Sequence, residues 1–364
     1  MNILYLTSCF NIGGTELYTL DYATEMLSKG HNVFWGTGIK EGKLKDMVDQ
    51  SGVALRECGL GNRSPIGMLL SIIKIKKLVS KEKIDIIHAI DAYTAIAACL
   101  AFKNSKKRPK IMWSNGGIRN NSYPIVKKIC DGTVDCIIAV SHYIRNRFIE
   151  YGYNPYNIKV YFQARDMKEP TISRNEWREK YGINADDLVI GSVGRICAAK
   201  GNETLLKIAP NLCKDYPNLK FCMVGAGKDK PIFEQMAKDM GLSDSVIFTG
   251  AVSDVENAYN GFDIVAFPTN MEAMGFISYE AMYYGRPIVA SYTGGVPEVV
   301  KTEYNGITVP PADLEEWECA LRRLIDDEDL RKKFVENGKR HFNEKLSRQS
   351  KIKTMEDFYL EILS

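Results

Sequence analysis

The sequence predicts an α/β protein built from two doubly wound parallel-sheet domains that face each other across a cleft. Three observations carry this. Short apolar runs alternate with helix-length amphipathic stretches along nearly the whole chain. The alternation pauses once, between Phe162 and Asp187, and then restarts. Turns that follow predicted strands carry glycines and cations, the composition of ligand-binding turns at the C-terminal edge of a parallel sheet. Parallel neighbours need a crossover, and the crossover helices then cover both faces of each sheet.

The first domain is expected over residues 1–165. It opens with the apolar run Asn2 to Thr7, a glycine pair, and an amphipathic stretch from Thr15 to Ser28 that stops at Gly30, which reads as strand, glycine turn and helix. Further strands are predicted at Asn32 to Trp35, Ile84 to His88, Lys110 to Trp113 and Cys136 to Val140. The polar stretch that follows contains Pro170 and the charged run Arg174 to Lys180, and the domain boundary is placed there. The second domain, residues 166–346, repeats the Rossmann-like alternation. Its strands are predicted at Leu188 to Val193, Leu219 to Val224, Val246 to Phe248, Ile264 to Phe267, Pro287 to Ala290 and Ile307 to Val309. From Asp313 onward the sequence is helical. The last segment, residues 347–364, is long enough to pack back across the first domain.

A chain of 364 residues, 45% hydrophobic and 26% charged, has the balance of a folded globular protein and no bias towards disorder or a fibrous repeat. It contains no apolar run long enough to span a bilayer. The start MNILYLTSCFNIGGTE lacks a basic n-region and a cleavage site, which points to a cytoplasmic protein. Nine cysteines, among them Cys58, Cys99, Cys130, Cys136, Cys197, Cys222 and Cys319, form no C-x-x-C pair and read as reduced core thiols. The formal net charge of +3 hides an asymmetry: residues 1–165 hold about 23 Lys and Arg against about 13 Asp and Glu. Such a half suits anionic lipid, an anionic acceptor or nucleic acid, although lysines scattered over solvated helix faces are the commoner cause.

The most specific segment is Glu272-Ala273-Met274-Gly275-Phe276-Ile277-Ser278-Tyr279-Glu280, two glutamates separated by seven residues just after a strand and Pro268. The first falls in a loop and the second on the following helix. A glycine in the loop brings backbone N–H groups close to a ligand, the helix start offers its dipole, and carboxylates accept hydrogen bonds from sugar hydroxyls. Alone, the pair would read as surface or capping residues. It is accompanied by Gly194-Arg195-Ile196-Cys197-Ala198-Ala199-Lys200-Gly201, which puts two cations in one strand-to-helix loop and suits a diphosphate as it leaves. Val224-Gly225-Ala226-Gly227-Lys228 is a weaker signal, compatible with a nucleotide pocket or with a tight turn. Gly13-Gly14-Thr15 lacks both the dinucleotide fingerprint and the P-loop Lys-Ser/Thr pair, which argues against a cofactor or a nucleoside triphosphate there.

On these residues the chain resembles the retaining glycosyltransferases of family 4, which have the GT-B fold, and the resemblance runs nearly end to end. Its markers are Gly13-Gly14-Thr15-Glu16, the segment Val193 to Gly201, the segment Glu272 to Glu280, and Thr293-Gly294-Gly295-Val296-Pro297-Glu298 followed by Asn305-Gly306 and Val309-Pro310. The resemblance implies that Arg195 and Lys200 grip the diphosphate of a nucleotide-sugar, that Glu280 binds its ribose and that Glu272 holds a donor-sugar hydroxyl. It implies further that backbone N–H groups of Met274, Gly275 and Phe276 complete these contacts. Gly14 would close on the diphosphate from the other domain, and Gly250, Ala251 and Val252 would meet the base. Retention through a front-face displacement is implied as well, with the leaving phosphate helping to take the acceptor proton. Because the two cations do the electrostatic work, no cofactor or obligatory metal is expected. The acidic run Asp326-Asp327-Glu328-Asp329 reads as a surface helix.

The chain departs from the family pattern at three places. Ser114-Asn115-Gly116-Gly117 stands where many relatives carry a histidine, and Asn115 is the candidate to replace its hydrogen bond to the donor sugar. His88 lines up with a family histidine at another strand end and reads equally as structural. Gln163-Ala164 replaces the usual Asn-Gly. The stretch Pro65 to Lys83 joins Ile66, Leu69, Leu70 and Ile73 to Lys74, Lys76, Lys77, Lys81 and Lys83, and reads either as a helix packed on its sheet or as one that meets an anionic membrane surface. The expected partners are a nucleotide-sugar, most commonly a UDP-sugar, and a glycan, lipid-linked or protein acceptor, with no nucleic acid. The competing readings are a sugar-nucleotide epimerase of the same fold and an accessory subunit that binds glycan without catalysis.

Overall fold

The computed structural model describes residues 1–8, 14–38, 43–115, 123–164, 167–350 and 354–364, with the side chains of Lys43 and Asn115 outside the description. The chain forms two compact units, Met1–Arg165 with Lys351–Ser364, and Asp166–Ser350.

The first unit alternates β1 (Asn2–Leu6), α1 (Gly14–Ser28), β2 (Asn32–Thr37), α2 (Lys43–Ser51), β3 (Ala54–Glu57), α3 (Pro65–Glu82), β4 (Ile86–Ala89), α4 (Ala92–Phe102), β5 (Lys110–Asn115), α5 (Tyr123–Cys130), β6 (Cys136–Ala139), α6 (His142–Glu150) and β7 (Ile158–Val160). Its seven strands are parallel, in the order β3-β2-β1-β4-β5-β6-β7. Strands β1, β4 and β6 are apolar and buried almost throughout, as strands covered on both faces must be. The edge strands β3 and β7 have no counterpart in the sequence reading. They are short, half-exposed and interrupted by Arg56, Glu57 and Lys159, so their apolar signal is weak.

The second unit contains α7 (Arg174–Lys180), β8 (Leu188–Val193), α8 (Asn202–Asp215), β9 (Leu219–Val224), α9 (Lys230–Asp239), β10 (Val246–Gly250), α10 (Val255–Gly261), β11 (Ile264–Phe267), α11 (Phe276–Tyr283), β12 (Ile288–Ser291), α12 (Val296–Val299), β13 (Ile307–Val309), α13 (Leu314–Asp326) and α14 (Glu328–His341). Its six parallel strands run β10-β9-β8-β11-β12-β13. Both units are thus Rossmann-like. The run Arg174 to Lys180, read from sequence as part of a polar pause, is instead a helix closed by a Ser173–Glu176 capping box. Trp177 and Arg178 on it are buried. Arg178 donates to the carbonyls of Gly261, Ala185 and Asp187 at 3.0, 2.7 and 2.8 Å and pairs with Asp263 at 2.7 Å. The charge pattern concealed this because a buried arginine with every donor engaged looks, in sequence, like a solvated one. The acidic run lies at the surface, as read, but is split between two helices: Asp326 ends α13, and Asp327 leaves the helix to cap α14 through Leu330 N–H at 2.8 Å.

A final helix, α15 (Met355–Leu363), belongs to the first unit and buries Met355, Phe358 and Tyr359 in its core. Tyr359 donates to Tyr5 at 2.9 Å and stands 2.6 Å from His88 Nδ1, while His88 Nε2 lies 2.6 Å from Ser114 Oγ. With Tyr359 donating to Tyr5, a neutral ring donates through Nδ1 and accepts from Ser114. Burial holds the imidazole neutral by lowering its pKa from 6.5 to about 3. The unfolded chain therefore takes up a proton that the folded chain refuses, and stability falls as pH drops. The first unit is expected to lose on the order of 4 kcal/mol between pH 6.5 and about 3 from this residue. Urea midpoints measured across that window should slope less steeply in His88→Gln than in wild type; equal slopes would remove His88 as the cause.

The eight cysteines among the described residues are free; Cys319 is exposed and the others are buried or half-buried. No described helix is long and apolar enough to cross a membrane.

Candidate active site

A doubly wound sheet leaves its ligand crevice outside the C-terminal ends of the two strands where the winding reverses. In the second unit those strands are β8 and β11. The chain leaving β8 carries Arg195 and Lys200, and the chain leaving β11 carries Glu272. Topology therefore puts three of the sequence-predicted residues at one place.

The loops there are stitched together by backbone. Gly194 N–H donates to Val224 O at 2.9 Å, Ile196 N–H to Ala226 O at 3.0 Å and Gly225 N–H to Gly250 O at 2.9 Å, which joins the loops after β8, β9 and β10 edge to edge. A Cβ on Gly225 would lie 1.8 Å from Gly194 O, so only glycine permits this approach. The loop after β11 is tied to the first of these by Asn270, whose N–H donates to Ala199 O at 3.1 Å and whose side chain donates to Ala198 O at 2.9 Å. Gly295 N–H in turn donates to Glu272 O at 3.1 Å.

On this frame Lys200 Nζ lies 2.5 Å from Glu272 Oε2 and 5.9 Å from the centroid of the Phe267 ring. Glu272 Oε1 accepts from Ala273 N–H at 3.1 Å. The two side chains are 21% and 20% exposed, partly desolvated yet within reach of a ligand. Arg195 is exposed in the same loop and pairs with no acid among the described residues, and Lys228 adds an exposed cation after β9. Glu280, on α11, accepts a hydrogen bond from Tyr259 Oη at 2.6 Å. Burial first, and the charge of Glu280 next, push the Tyr259 phenol well above its ordinary pKa, which keeps it a donor.

Two helices begin at the site without a side-chain cap. α8 starts from Gly201 at φ +68° and α11 from Gly275 at φ +85°. Thr204 N–H and Ser278 N–H turn back to Gly201 O and Gly275 O at 2.9 and 3.0 Å, which leaves the earlier N–H groups of each start, with the segment Met274, Gly275 and Phe276 leading into α11, as the ones that could meet an anion or a hydroxyl. Met274 is itself buried, so its contribution would be backbone alone. Gly250, at φ +76°, ends β10, with Ala251 and Val252 just beyond it.

In the first unit Gly14 is the exposed first residue of α1, on the segment that leaves β1 at that sheet's own reversal point between β1 and β4. Asn115 ends β5 opposite Ala139. Gly13, Gly116 and Gly117 lie outside the described residues. His88 takes its place in the buried network with Ser114 and Tyr359. Tyr259, Asn270 and Thr293, which donates to Asn270 O at 3.3 Å, had no assigned part in the sequence reading. Their partners lie 21 or more positions away or are backbone atoms, and no local spacing marks such contacts. Among the described residues no group of three or more His, Cys, Asp or Glu is placed to hold a metal ion. A groove of about 1120 Å³ between α8 and α13 offers no comparable chemistry, since Arg322 there is paired with Glu318 and Asp215.

Two family descriptions match the chain: Glycosyltransferase Family 4 over residues 12–163 and Glycosyl transferases group 1 over residues 173–341. A D-inositol 3-phosphate glycosyltransferase of Corynebacterium kroppenstedtii is 31% identical over 227 residues, covering 59% of this chain and 50% of the relative. An alpha-D-kanosaminyltransferase of Streptomyces kanamyceticus is 34% identical over 167 residues, covering 45% of this chain and 43% of the relative. The chain thus spans about half the length of these curated relatives. The crystal structure of Anabaena HepE in complex with UDP-glucose superposes with a TM-score of 0.85 at 21% identity, covering 100% of this chain and 99% of that one. The fold is therefore GT-B.

Proposed function

We propose, from the premise that this chain belongs to glycosyltransferase family 4 and carries a second half of the group 1 kind, that it moves a sugar from a nucleotide-sugar to an acceptor with retention of anomeric configuration. One observation carries the reading: Lys200 and Glu272 are in direct contact at the reversal point of the second sheet, with the exposed cation Arg195, which pairs with no acid among the described residues, on the same loop. Bound donor would enter this contact, its diphosphate taking Lys200 and Arg195 and a sugar hydroxyl taking Glu272. Glu280, fixed by Tyr259, would accept from the ribose, and the segment after β10 would meet the base.

In this reading the bond from C1 to the diphosphate oxygen breaks as the acceptor oxygen bonds C1 on the same face. The electron pair stays with the diphosphate, where Arg195 and Lys200 stabilise it, and the acceptor proton passes to a phosphate oxygen. No cofactor or metal is invoked. The donor base is proposed to be uridine, the commonest among sugar donors. The product would be a cell-surface glycan or glycoconjugate. The excess of basic residues in the first unit supports contact with an anionic membrane and hence a lipid-linked acceptor. The names of the Corynebacterium and Streptomyces relatives support transfer over epimerisation.

A thermal-shift screen against UDP-, GDP-, ADP-, CMP- and dTDP-sugars tests the site. At a hundredfold excess over Kd a single donor should stabilise the protein by about 2.7 kcal/mol, and Lys200→Ala and Glu280→Ala should lose that shift. Variants that respond like wild type would sink the site assignment. Conversion of the donor with no acceptor present would favour the epimerase instead.

A further inference from the structure

Helix α3 has two apolar faces, and only one is used. Gly67, Ser71, Ile75 and Leu78 face inward and are buried. Ile66, Leu69, Leu70 and Ile73 face the other way and are 72%, 58%, 51% and 55% exposed. The sequence left open whether this stripe packs on the sheet; it does not. At helical spacing the outward stripe runs from Ile66 through Leu70 and Ile73 to Lys77 and Lys81, with Lys76 beside it, so its first two turns are apolar and its last two basic. Lys74 is paired with Glu57, and Lys81 lies 3.9 Å from Glu82. Lys76, Lys77 and Lys83 are exposed and pair with no acid among the described residues.

The position of the stripe matters as much as its composition. A crossover helix runs antiparallel to its strands, so the N-terminal, apolar end of α3 lies at the edge of the sheet where β1 and β4 end. Two bonds fix this. Tyr93 Oη, in the first turn of α4 just beyond β4, donates to Asn62 O at 2.8 Å in the segment that leads into α3. Asp91, between β4 and α4, accepts from Ser8 N–H beyond β1 at 2.8 Å. The unpartnered apolar face therefore sits at the same sheet edge as Gly14 and Asn115.

We infer that the outer face of α3 docks on an anionic bilayer, with Ile66, Leu69, Leu70 and Ile73 entering the acyl boundary and Lys76, Lys77, Lys81 and Lys83 meeting anionic headgroups. Charge decides the occupant: an apolar stripe that continues into lysines, of which Lys76, Lys77 and Lys83 pair with no acid among the described residues, fits a negatively charged surface, and a second copy of the same face would set like charges against each other. This deepens the membrane contact proposed above and does not depend on the donor site. It also gives that contact a use, since a lipid-anchored acceptor would present its head group at the edge where the strands of the first sheet end.

The test uses the full chain with phosphatidylcholine vesicles, with and without phosphatidylglycerol, in co-sedimentation at low and high salt. Wild type should pellet with the anionic vesicles alone and be released by salt, and Ile66→Ser/Leu70→Ser and Lys76→Glu/Lys77→Glu should each weaken binding at least about tenfold. Leu70→Trp should show a blue-shifted emission on anionic vesicles. Equal binding to neutral vesicles, no binding, or variants that bind like wild type would overturn the inference. So would a wild-type dimer that Ile66→Ser/Leu70→Ser converts to monomer. The serine variant should keep the donor-induced thermal shift, which separates failure at this surface from failure of the donor site.

Discussion

Lys200→Ala is expected to lower turnover by about a hundred- to a thousandfold while leaving the fold intact. Two losses combine in it. The leaving diphosphate loses a cation within a partly desolvated site, where a charge is worth more than in water. Glu272 also loses its partner at 2.5 Å, and an acid left without its counter-charge repels the incoming diphosphate. The side chain is only partly buried and sits over the edge of the site at the Phe267 ring, so the melting temperature should scarcely move. Because both residues act through one contact, Lys200→Ala/Glu272→Gln should cost much less than the product of the single effects. Donor kinetics of the four proteins check this. A Lys200→Ala enzyme within about threefold of wild type would place the reaction elsewhere.

Among the substitutions, the largest loss of stability is expected from Gly294→Ala. Gly294 sits at φ +57°, and a Cβ built there would lie 1.7 Å from Glu272 O. The obstructing atom is backbone, so relief requires moving the loop that carries Glu272 away from the Gly294–Gly295 turn and stretching the bond from Gly295 N–H to Glu272 O. Left-handed backbone costs an alanine about 1–2 kcal/mol, and displacing the loop should bring the total to about 3 kcal/mol, or a fall of roughly 6–12 °C in Tm for a unit of this size. Gly241→Ala supplies the control. It has φ +72° with nothing within 4 Å of a Cβ, so it should show the conformational cost alone. If the two variants melt together, the close approach is soft and Gly294 does not brace the site.

The strand-helix alternation made both sheets legible in sequence, since strands buried on both faces must be apolar throughout and the helices between them cannot be. It failed where that rule relaxes. β3 and β7 lie at the edges of the first sheet and keep polar residues. α7 hides a buried tryptophan and a buried arginine within a run that reads as solvated. At the site, the glutamates separated by seven residues and the two cations of one loop were visible because they lie within short segments joined to predicted strand ends.

Composition, periodicity and motif spacing suffice for the class of fold, the number of units and the short list of chemically able residues, because each of these is a local property of the chain. Contact between Lys200 and Glu272 is not local: 72 positions separate them, and they meet because β8 and β11 are neighbours in a sheet wound outward in both directions. The same holds for Tyr259 beneath Glu280 and for His88 between Ser114 and Tyr359. Which face of α3 is covered was likewise open in sequence, since both faces are apolar and the choice falls to the packing of neighbouring elements. Periodicity specifies that a face exists; the strand order and the helices laid beside it settle what, if anything, it touches.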